Sequence, residues 1–532
     1  LPPAQRVILF TLALGQFLMA LDSSVMNVSI ATVAEDIGTT ITGVQTAITM
    51  YTLVMAAFMI TGSKIGARMG RKRAFAVGAV IYACGSFTTA ISPSLPVLLF
   101  GWSFLEGIGA CLIMPAIVAL VAGNFPVERR PAAYGLIAAA AAIAIAVGPI
   151  IGGFATTYLS WRWVFAGEVV LVALILFLSR RIADAPPDRK PELDYVGSVL
   201  SALGMGLMVY GVLRSAEWGW VEPKPDGPSW FGLSPTVWLV AAGFFGIWLF
   251  LRWESRLESR NGEPLLSPAM LKNSQLAGGL ILFFFMFLIQ MGVFFTVPLY
   301  LSVVLGLDAL ETGVRLVPLS ITLLGAAVLI PRLLPNVSPR LVVQLGVLCM
   351  VAGALVLVGS LEVDSGEEVV AIPMLLVGLG IGAMASQLGA VTVSAVPDEK
   401  SPEVGGLQNT ATQFGASLGT ALAGSILFAS LTTAFLQNID NNPDIPDDVV
   451  SQADVELASG VPFLSDDQLE EALTNAGVEQ DAQSAITQAY EEARIEGLRL
   501  ALAGLALMGL ISLFFSGLLP TRQPAAGPGP PA

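Results

Sequence analysis

About fourteen stretches of roughly twenty apolar residues follow one another along this chain, each long enough to cross the hydrocarbon core of a bilayer as an α-helix. They cover, approximately, residues 7–33, 44–66, 75–91, 95–121, 132–159, 163–178, 195–213, 237–251, 276–304, 312–334, 341–361, 371–396, 405–431 and 498–519. No water reaches that core, so each backbone must close its hydrogen bonds internally, which a helix does. The expected fold is an all-α polytopic membrane protein. Only 12% of the 532 residues are charged, where a soluble domain carries about a quarter. The 33 prolines and 54 glycines lie mostly inside or beside apolar runs, where membrane helices tolerate them. The first run has no small-residue cleavage site after it and reads as a retained span.

The net charge of −14 belongs to one segment. Between 440 and 496, fifteen acids face a single base, Arg494, and the rest of the chain is close to neutral. The low isoelectric point therefore says nothing about a nucleic-acid partner, and none is expected. The segment 437–496 is turn-rich at first (Pro443, Pro446, Pro462) and then helical, with Ser465-Asp466-Asp467-Gln468 resembling a capping box ahead of Leu469 and Leu473. It reads as a solvated cap held away from the outer surface; a vestibule that concentrates cations is the sharper alternative. The tail 521–532, rich in Pro and Gly, is expected to be disordered.

The chain has no histidine, so any proton chemistry falls to carboxylates. Cys84, Cys111 and Cys349 lie in apolar runs without paired spacing, against a disulfide framework or a zinc site. No metal is expected, and no cofactor beyond a proton gradient.

Lysine and arginine mark the cytoplasmic loops. Arg68, Arg71, Lys72 and Arg73 follow the second run, Arg129 and Arg130 the fourth, Arg180, Arg181, Arg189 and Lys190 the sixth, and Arg252, Arg256 and Arg260 the eighth. The alternate loops hold Glu35 and Asp36, then Glu217, Glu222 and Asp226, then Glu362, Asp364, Glu367 and Glu368, and finally the acidic segment. An even number of spans places both termini in the cytoplasm.

An internal repeat runs through the spans. Gly107-Ile108-Gly109-Ala110 recurs as Gly380-Ile381-Gly382-Ala383, and the interval from Gly135 to Gly148 recurs from Gly406 to Gly419. Two six-helix bundles, 1–182 and 263–532, with a two-helix insertion at 183–262, account for this. Parallel repeats of that kind are the plan of a large transporter class whose substrate site lies near mid-membrane between the halves.

Several motifs then fall in order. Leu21 to Val28, with Asp22 and Asn27, resembles a first-helix motif. Gly66 to Arg73, with Gly70-Arg71-Lys72, resembles a cytoplasmic gating loop between the second and third helices. Gly148-Pro149-Ile150-Ile151-Gly152-Gly153 resembles the antiporter motif of a fifth helix, and Trp161-Arg162-Trp163-Val164-Phe165 an aromatic entry to the sixth. Pro298-Leu299-Tyr300-Leu301 and Gly406-Leu407-Gln408-Asn409-Thr410 resemble second-half signatures. Together they resemble the major facilitator superfamily, in particular its fourteen-helix drug:proton antiporter branch, over essentially the whole chain.

Two departures touch gating and coupling. The loop motif normally carries an acid where this chain has Ala67. The fourth-helix motif normally has an arginine and a glutamine where this chain has Ser103 and Glu106. The usual coupling cation is thus missing, its position taken by Ser103, and a carboxylate, Glu106, stands in the span. An uncompensated carboxylate in hydrocarbon costs several kcal/mol and is functional by default.

Asp22, Glu106 and Glu168 are the proton-coupling candidates. Asp22 falls roughly 22 Å from the inner start of its helix and Glu106 roughly 16 Å from the outer start of its own. The resemblance implies that both helices line a central cavity, so that Asp22 and Glu106 share one wet pocket and take up and release protons near working pH. Glu168 is expected to pair with Arg162 at the interface, Glu311 with Arg315 four residues on, and Asp194 to act as a helix N-terminal charge. The substrate cavity is expected to use Asp22, Asn27, Tyr51, Glu106, Gln290, Gln387, Asn409 and Gln413, amides such as these serving equally as glue between helices. Gly148, Pro149, Gly152 and Gly153 are either a tight packing face or the place where a helix bends and seals.

The expected function is a proton-coupled exporter of amphipathic, cationic small molecules working by alternating access, as a monomer in a bacterial cell membrane. Export of a lipid or endogenous metabolite, and a non-transporting receptor or scaffold, are the alternatives. No nucleophile with its base, metal set or phosphate loop supports an enzyme.

Overall fold

The computed structural model describes residues 3–522 apart from 127–128, 185–191, 225–226, 398–400, 444 and 458–459. Arg189, Lys190, Asp226 and the tail from 523 onward lie outside the described residues. The long helices are α1 (Pro3–Val28), α2 (Ile41–Met69), α3 (Arg71–Ala90), α4 (Leu95–Asn124), α5 (Arg130–Tyr158), α6 (Arg162–Ser179), α7 (Tyr195–Trp218) and α8 (Pro235–Ser259). They continue as α9 (Ser274–Val304), α10 (Val317–Leu333), α11 (Pro339–Ser360), α12 (Ala371–Val393), α13 (Ser401–Asp440) and α14 (Gln480–Ser516). Their starts are legible locally. Thr40, Asp194, Ser234, Asn273 and Ser338 each accept a hydrogen bond from a first-turn N–H of the helix that follows, the role of an N-cap. Asp194 is thereby the helix N-terminal charge that the sequence suggests.

Among the described residues, twelve helices are long and apolar enough to cross a membrane. The short helix Ala309–Arg315 and α10, bent by 41°, form a thirteenth as one broken span. The remaining expected span is α3, which is helical but less apolar. It opens on Arg71-Lys72-Arg73 and carries Ser86, Thr88 and Thr89, and two of those hydroxyls serve the acid site below.

Glycines set how closely the helices approach, and the same contact occurs twice. A Cβ on Gly78 would lie 2.8 Å from the Gly109 carbonyl and one on Gly109 2.8 Å from the Gly78 carbonyl, joining α3 to α4. Gly346 and Gly380 stand in the same relation on α11 and α12, at 2.9 and 2.4 Å. Likewise α5 packs on α1 through Gly148 and Gly152, and α13 packs on α9 through Gly415 and Gly419. The close helix pair thus recurs in the second set, with Gly109 packing as Gly380 does, two residues away from the Gly107 to Gly380 register read from the sequence. Between the two sets, α7 and α8 pack on each other at Gly204 and Gly243. Helix α7 also bonds to α2 (Thr61 Oγ1 to Ser198 Oγ, 3.0 Å) and to α13 (Ser215 to Ser425).

The acidic segment is not held off as a solvated cap. At forty and thirty-seven residues, α13 and α14 measure about 60 and 55 Å, well beyond a bilayer core of about 30 Å. The segment folds against their projecting ends. Ser465 and Gln468 close the expected capping box at the helix Asp466–Asn475. Phe463 meets Phe428 edge to face, and the Val461 N–H donates to Thr432 Oγ1 at 3.0 Å. Arg494, 2% exposed, donates to the Leu464 carbonyl at 2.8 Å, pairs with Asp466 and stacks over Tyr490. The single base of the segment is its internal pin.

Candidate functional site

Five helices meet around three buried acids. Asp22 comes from α1, Glu106 from α4 and Glu168 from α6, and one carboxylate oxygen of each lies within 4.8 Å of the others. Asp22 and Glu106 are fully enclosed and Glu168 is 2% exposed. Trp102 Nε1 donates to both oxygens of Asp22, at 2.9 and 3.0 Å. From α3, Ser86 Oγ donates to Glu168 Oε2 at 3.0 Å and Thr89 Oγ1 to Glu106 Oε1 at 3.3 Å. Tyr51 of α2 stacks on Trp102 with ring centroids 4.9 Å apart and planes 12° from parallel. The hydroxyls of Tyr51 and Tyr82 lie beside the carboxylates yet close no well-formed hydrogen bond, and Glu106 Oε2 and Glu168 Oε1 are likewise bare.

Local sequence explains the placement. Residues Leu99–Glu106 form a π-helix, whose i→i+5 ladder widens the turn, a feature frequent at functional sites. Trp102 and Glu106 are both carried on it. Gly85 makes room, since a Cβ there would stand 2.5 Å from Glu106 Cγ. Trp102, Tyr82, Ser86 and Thr89 carry no charge and match no motif; the polar interruption of α3 is the signal that marks Ser86 and Thr89, and Trp102 on α4 has none.

The three acids are thus together, but not where the sequence places them. They sit inside the first bundle of helices and do not line an open cavity. Glu168 does not pair with Arg162, which reaches away from it to Asp36 and to the Ser92 carbonyl at 2.7 Å. Nor does Glu311 pair with Arg315. Glu311 closes a capping box with Asp308, and Arg315 joins Glu367. None of the ion pairs among the described residues involves Asp22, Glu106 or Glu168.

The expected cavity residues are dispersed. Tyr51 belongs to the acid site. Asn27 is buried and donates to the Ser23 carbonyl at 2.7 Å. Gln290 and Gln387 are buried on α9 and α12, while Asn409 and Gln413 are half-buried on α13. None of them lines the cavity of about 990 Å³ that lies beneath the acidic segment. That space is walled by Glu35, Thr42, Trp218, Ser302, Phe428 and Phe463 among others.

The Gly148 to Gly153 run packs on two partners at once. A Cβ on Gly148 would stand 2.5 Å from Ser24 Cβ, and one on Gly152 2.9 Å from the Val25 side chain, both on α1. On its other side, a Cβ on Gly153 would lie 2.4 Å from the Ala309 carbonyl, and one on Gly313 2.2 Å from the Pro149 carbonyl. The Leu310 N–H donates to Thr157 Oγ1 at 3.1 Å. Helix α5 runs unbroken through Pro149. Nearby, Gln45 Nε2 donates to the Thr420 carbonyl and Ser417 Oγ to the Thr49 carbonyl, each at 2.9 Å, tying α2 to α13. These contacts tie the first set of helices to the second.

Between α2 and α3, Gly70 has φ 101°, which glycine adopts without strain. Lys72 N–H donates to Asp184 Oδ1 at 3.1 Å, Lys72 Nζ to the Arg180 carbonyl at 3.1 Å and Arg71 Nη1 to the Ser63 carbonyl at 2.9 Å. Asp184, beyond the end of α6, supplies an acid to this loop from another part of the chain. Arg73 is exposed.

Residues 12–420 match the Major Facilitator Superfamily. The chain is 30% identical to the tetracenomycin C resistance and export protein of Streptomyces glaucescens, over 80% of this chain and 77% of that one. It is 26% identical to the drug efflux pump JefA of Mycobacterium tuberculosis, over 95% and 96%. Its fold is shared by a bacterial homologue of the human lysosomal transporter Spinster in an inward-facing, occupied conformation (TM-score 0.59, 16% identity, 97% of each chain). A D-xylose-proton symporter shares it at TM-score 0.55 and 13% identity, over 79% and 90%. The buried helix pairs, their repeat and these matches lead to one assignment: the chain belongs to the Major Facilitator Superfamily and is a multi-pass transporter, not an enzyme.

Proposed function

We propose that this transporter is a proton-coupled antiporter that exports amphipathic small molecules, cationic ones among them, from a bacterial cell, with both termini in the cytoplasm. The observation that carries the reading is the convergence of Asp22, Glu106 and Glu168 within 4.8 Å without a basic partner. Carboxylates this close and out of water cannot all be charged, so they share protons. Asp22 is the lever. Two and three residues further along α1, Ser24 and Val25 bear on Gly148 and Gly152. A change of charge at Asp22 is felt directly by the helix on which the α5 seal rests, and α5 in turn abuts Ala309–Arg315. Alternating access follows if protonation favours one packing of α1 on α5 and substrate loading the other.

Because the acids are enclosed, substrate does not compete with protons at the same atoms in this conformation. The amides of Gln290, Gln387, Asn409 and Gln413 on the second set of helices are the candidate substrate contacts. Relatives named for tetracenomycin C, puromycin and actinorhodin support an amphipathic cargo.

The test is uphill movement of an amphipathic dye cation by reconstituted protein under an imposed pH gradient. Wild type concentrates the dye; Asp22→Asn and Glu106→Gln do not, while still exchanging it downhill. Uphill movement undiminished in both variants overturns the assignment of the coupling site.

A further inference from the structure

We propose that Asp22, Glu106 and Glu168, with the hydroxyls of Tyr51 and Tyr82, also form a binding site for one dehydrated hard cation of the size of Na⁺ or Ca²⁺. The inference concerns the same acids as the proton-coupled reading but rests on their geometry, not on their titration. Each carboxylate is anchored from one side: Asp22 by Trp102 Nε1, Glu168 Oε2 by Ser86, Glu106 Oε1 by Thr89. The anchoring leaves Glu106 Oε2 and Glu168 Oε1 buried without hydrogen-bond partners. Two phenol oxygens from other helices, on side chains no more than 1% exposed, are equally unpartnered. Buried polar atoms in native proteins rarely go unsatisfied, and four on the residues of one buried site mark a place built for something further.

Distance and donor type say what that is. Three oxygens at most 4.8 Å apart have a common point within about 2.8 Å of each, and a contraction of a few tenths of an ångström reaches the 2.3–2.6 Å of Ca²⁺–oxygen bonds. All the donors are oxygen, which selects hard cations over zinc or copper. Mg²⁺ keeps several of its waters, and an enclosed cluster has no room for them. Among the described residues, no lysine or arginine forms an ion pair at the site. Tyr51 is held by its stacking on Trp102, and Gly85 admits the Glu106 stem.

Equilibrium binding of radiolabelled Na⁺ and, separately, Ca²⁺ to the purified full chain in mildly alkaline detergent solution tests this, alongside the melting temperature. Wild type is expected to bind one of the two ions saturably, one per chain, with a raised melting temperature, and Mg²⁺ at equal concentration does not displace it. Affinity falls by about tenfold or more in Glu168→Gln and Tyr82→Phe, and is unchanged in Glu254→Gln, a buried acid on α8. Tyr82→Phe removes no charge and keeps the test valid if Glu168→Gln fails to fold. Absence of saturable binding by wild type, binding undiminished in both site variants, or displacement by Mg²⁺ overturns the proposal. Transport driven by a pH gradient is measured on the same preparation. Transport without binding removes the cation site and leaves proton coupling standing; binding with transport driven by Na⁺ or Ca²⁺ alone does the reverse.

Discussion

Trp102 Nε1 points between the two oxygens of Asp22, 2.9 and 3.0 Å from them, and is the one donor on α4 that reaches the carboxylate of α1. It holds that acid in place while the neighbouring acids, Glu106 on α4 and Glu168 on α6, are held by Thr89 and Ser86 of α3. Trp102→Phe keeps the ring against Tyr51 and deletes the donor. Leaving a buried acceptor unpaired costs about 1–3 kcal/mol. The expected result is a protein that folds, with a melting temperature a few degrees lower and uphill transport reduced about tenfold, measured in proteoliposomes under a fixed pH gradient.

Ser86 separates a positioning role from a structural one. Ser86→Ala removes the hydroxyl that donates to Glu168 Oε2 at 3.0 Å and that also lies beside Glu106. Stability should change by about 1 kcal/mol. If Glu168 shares the protons, the pH dependence of transport shifts while downhill exchange does not; a purely structural Glu168 leaves the pH profile where it was.

The two sides of the α5 motif can be told apart by adding single methyl groups. Gly153→Ala places a Cβ against the Ala309 backbone, which cannot turn aside as a side chain can. Helix α5 and Ala309–Arg315 must separate, and the expected outcome is a leak, read as dissipation of an imposed gradient without substrate. Gly135→Ala, on the same helix but with nothing within 4 Å, should transport normally and gain about 0.5–1 kcal/mol of stability.

Asp184 stands where α3 begins, its carboxylate on the Lys72 N–H. An acid at a helix N-terminus contributes about 0.5–2 kcal/mol. Asp184→Ala should lower the melting temperature and slow transport by loosening the turn at Gly70. Gly70→Ala should do so more severely, since its φ of 101° is strained for any L side chain. Parallel melts of the two variants order the effects.

Arg494→Met tests the pin of the acidic segment. The variant keeps much of the volume on α14 but loses the bonds to Leu464 and Asp466. Faster amide exchange confined to 461–470 is expected, with α13 and α14 still protected. Exchange unchanged there would mean that Phe463 and Tyr490 hold the segment without it.

The spans, the repeat and the transporter family were legible in the sequence because each rests on local composition. Twenty apolar residues make a helix in lipid whatever surrounds them, and Gly107–Ala110 and Gly380–Ala383 announce helix packing wherever they occur. The caps at Asp194 and Ser465 were legible for the same reason, since each is settled within four residues. The acid site was legible only in its members. That Asp22, Glu106 and Glu168 come within 4.8 Å is decided by how α1, α3, α4 and α6 rotate about their axes, which depends on contacts such as Gly78 with Gly109 across thirty residues of chain. The pairing of charges was likewise open to the tertiary structure alone. Arg162 chose Asp36 over Glu168, and Arg315 chose Glu367 over Glu311, because a long flexible base finds whichever acid the folded helices bring near it. Sequence determined which residues the membrane must enclose; only the packing of helices decided which of them share a site.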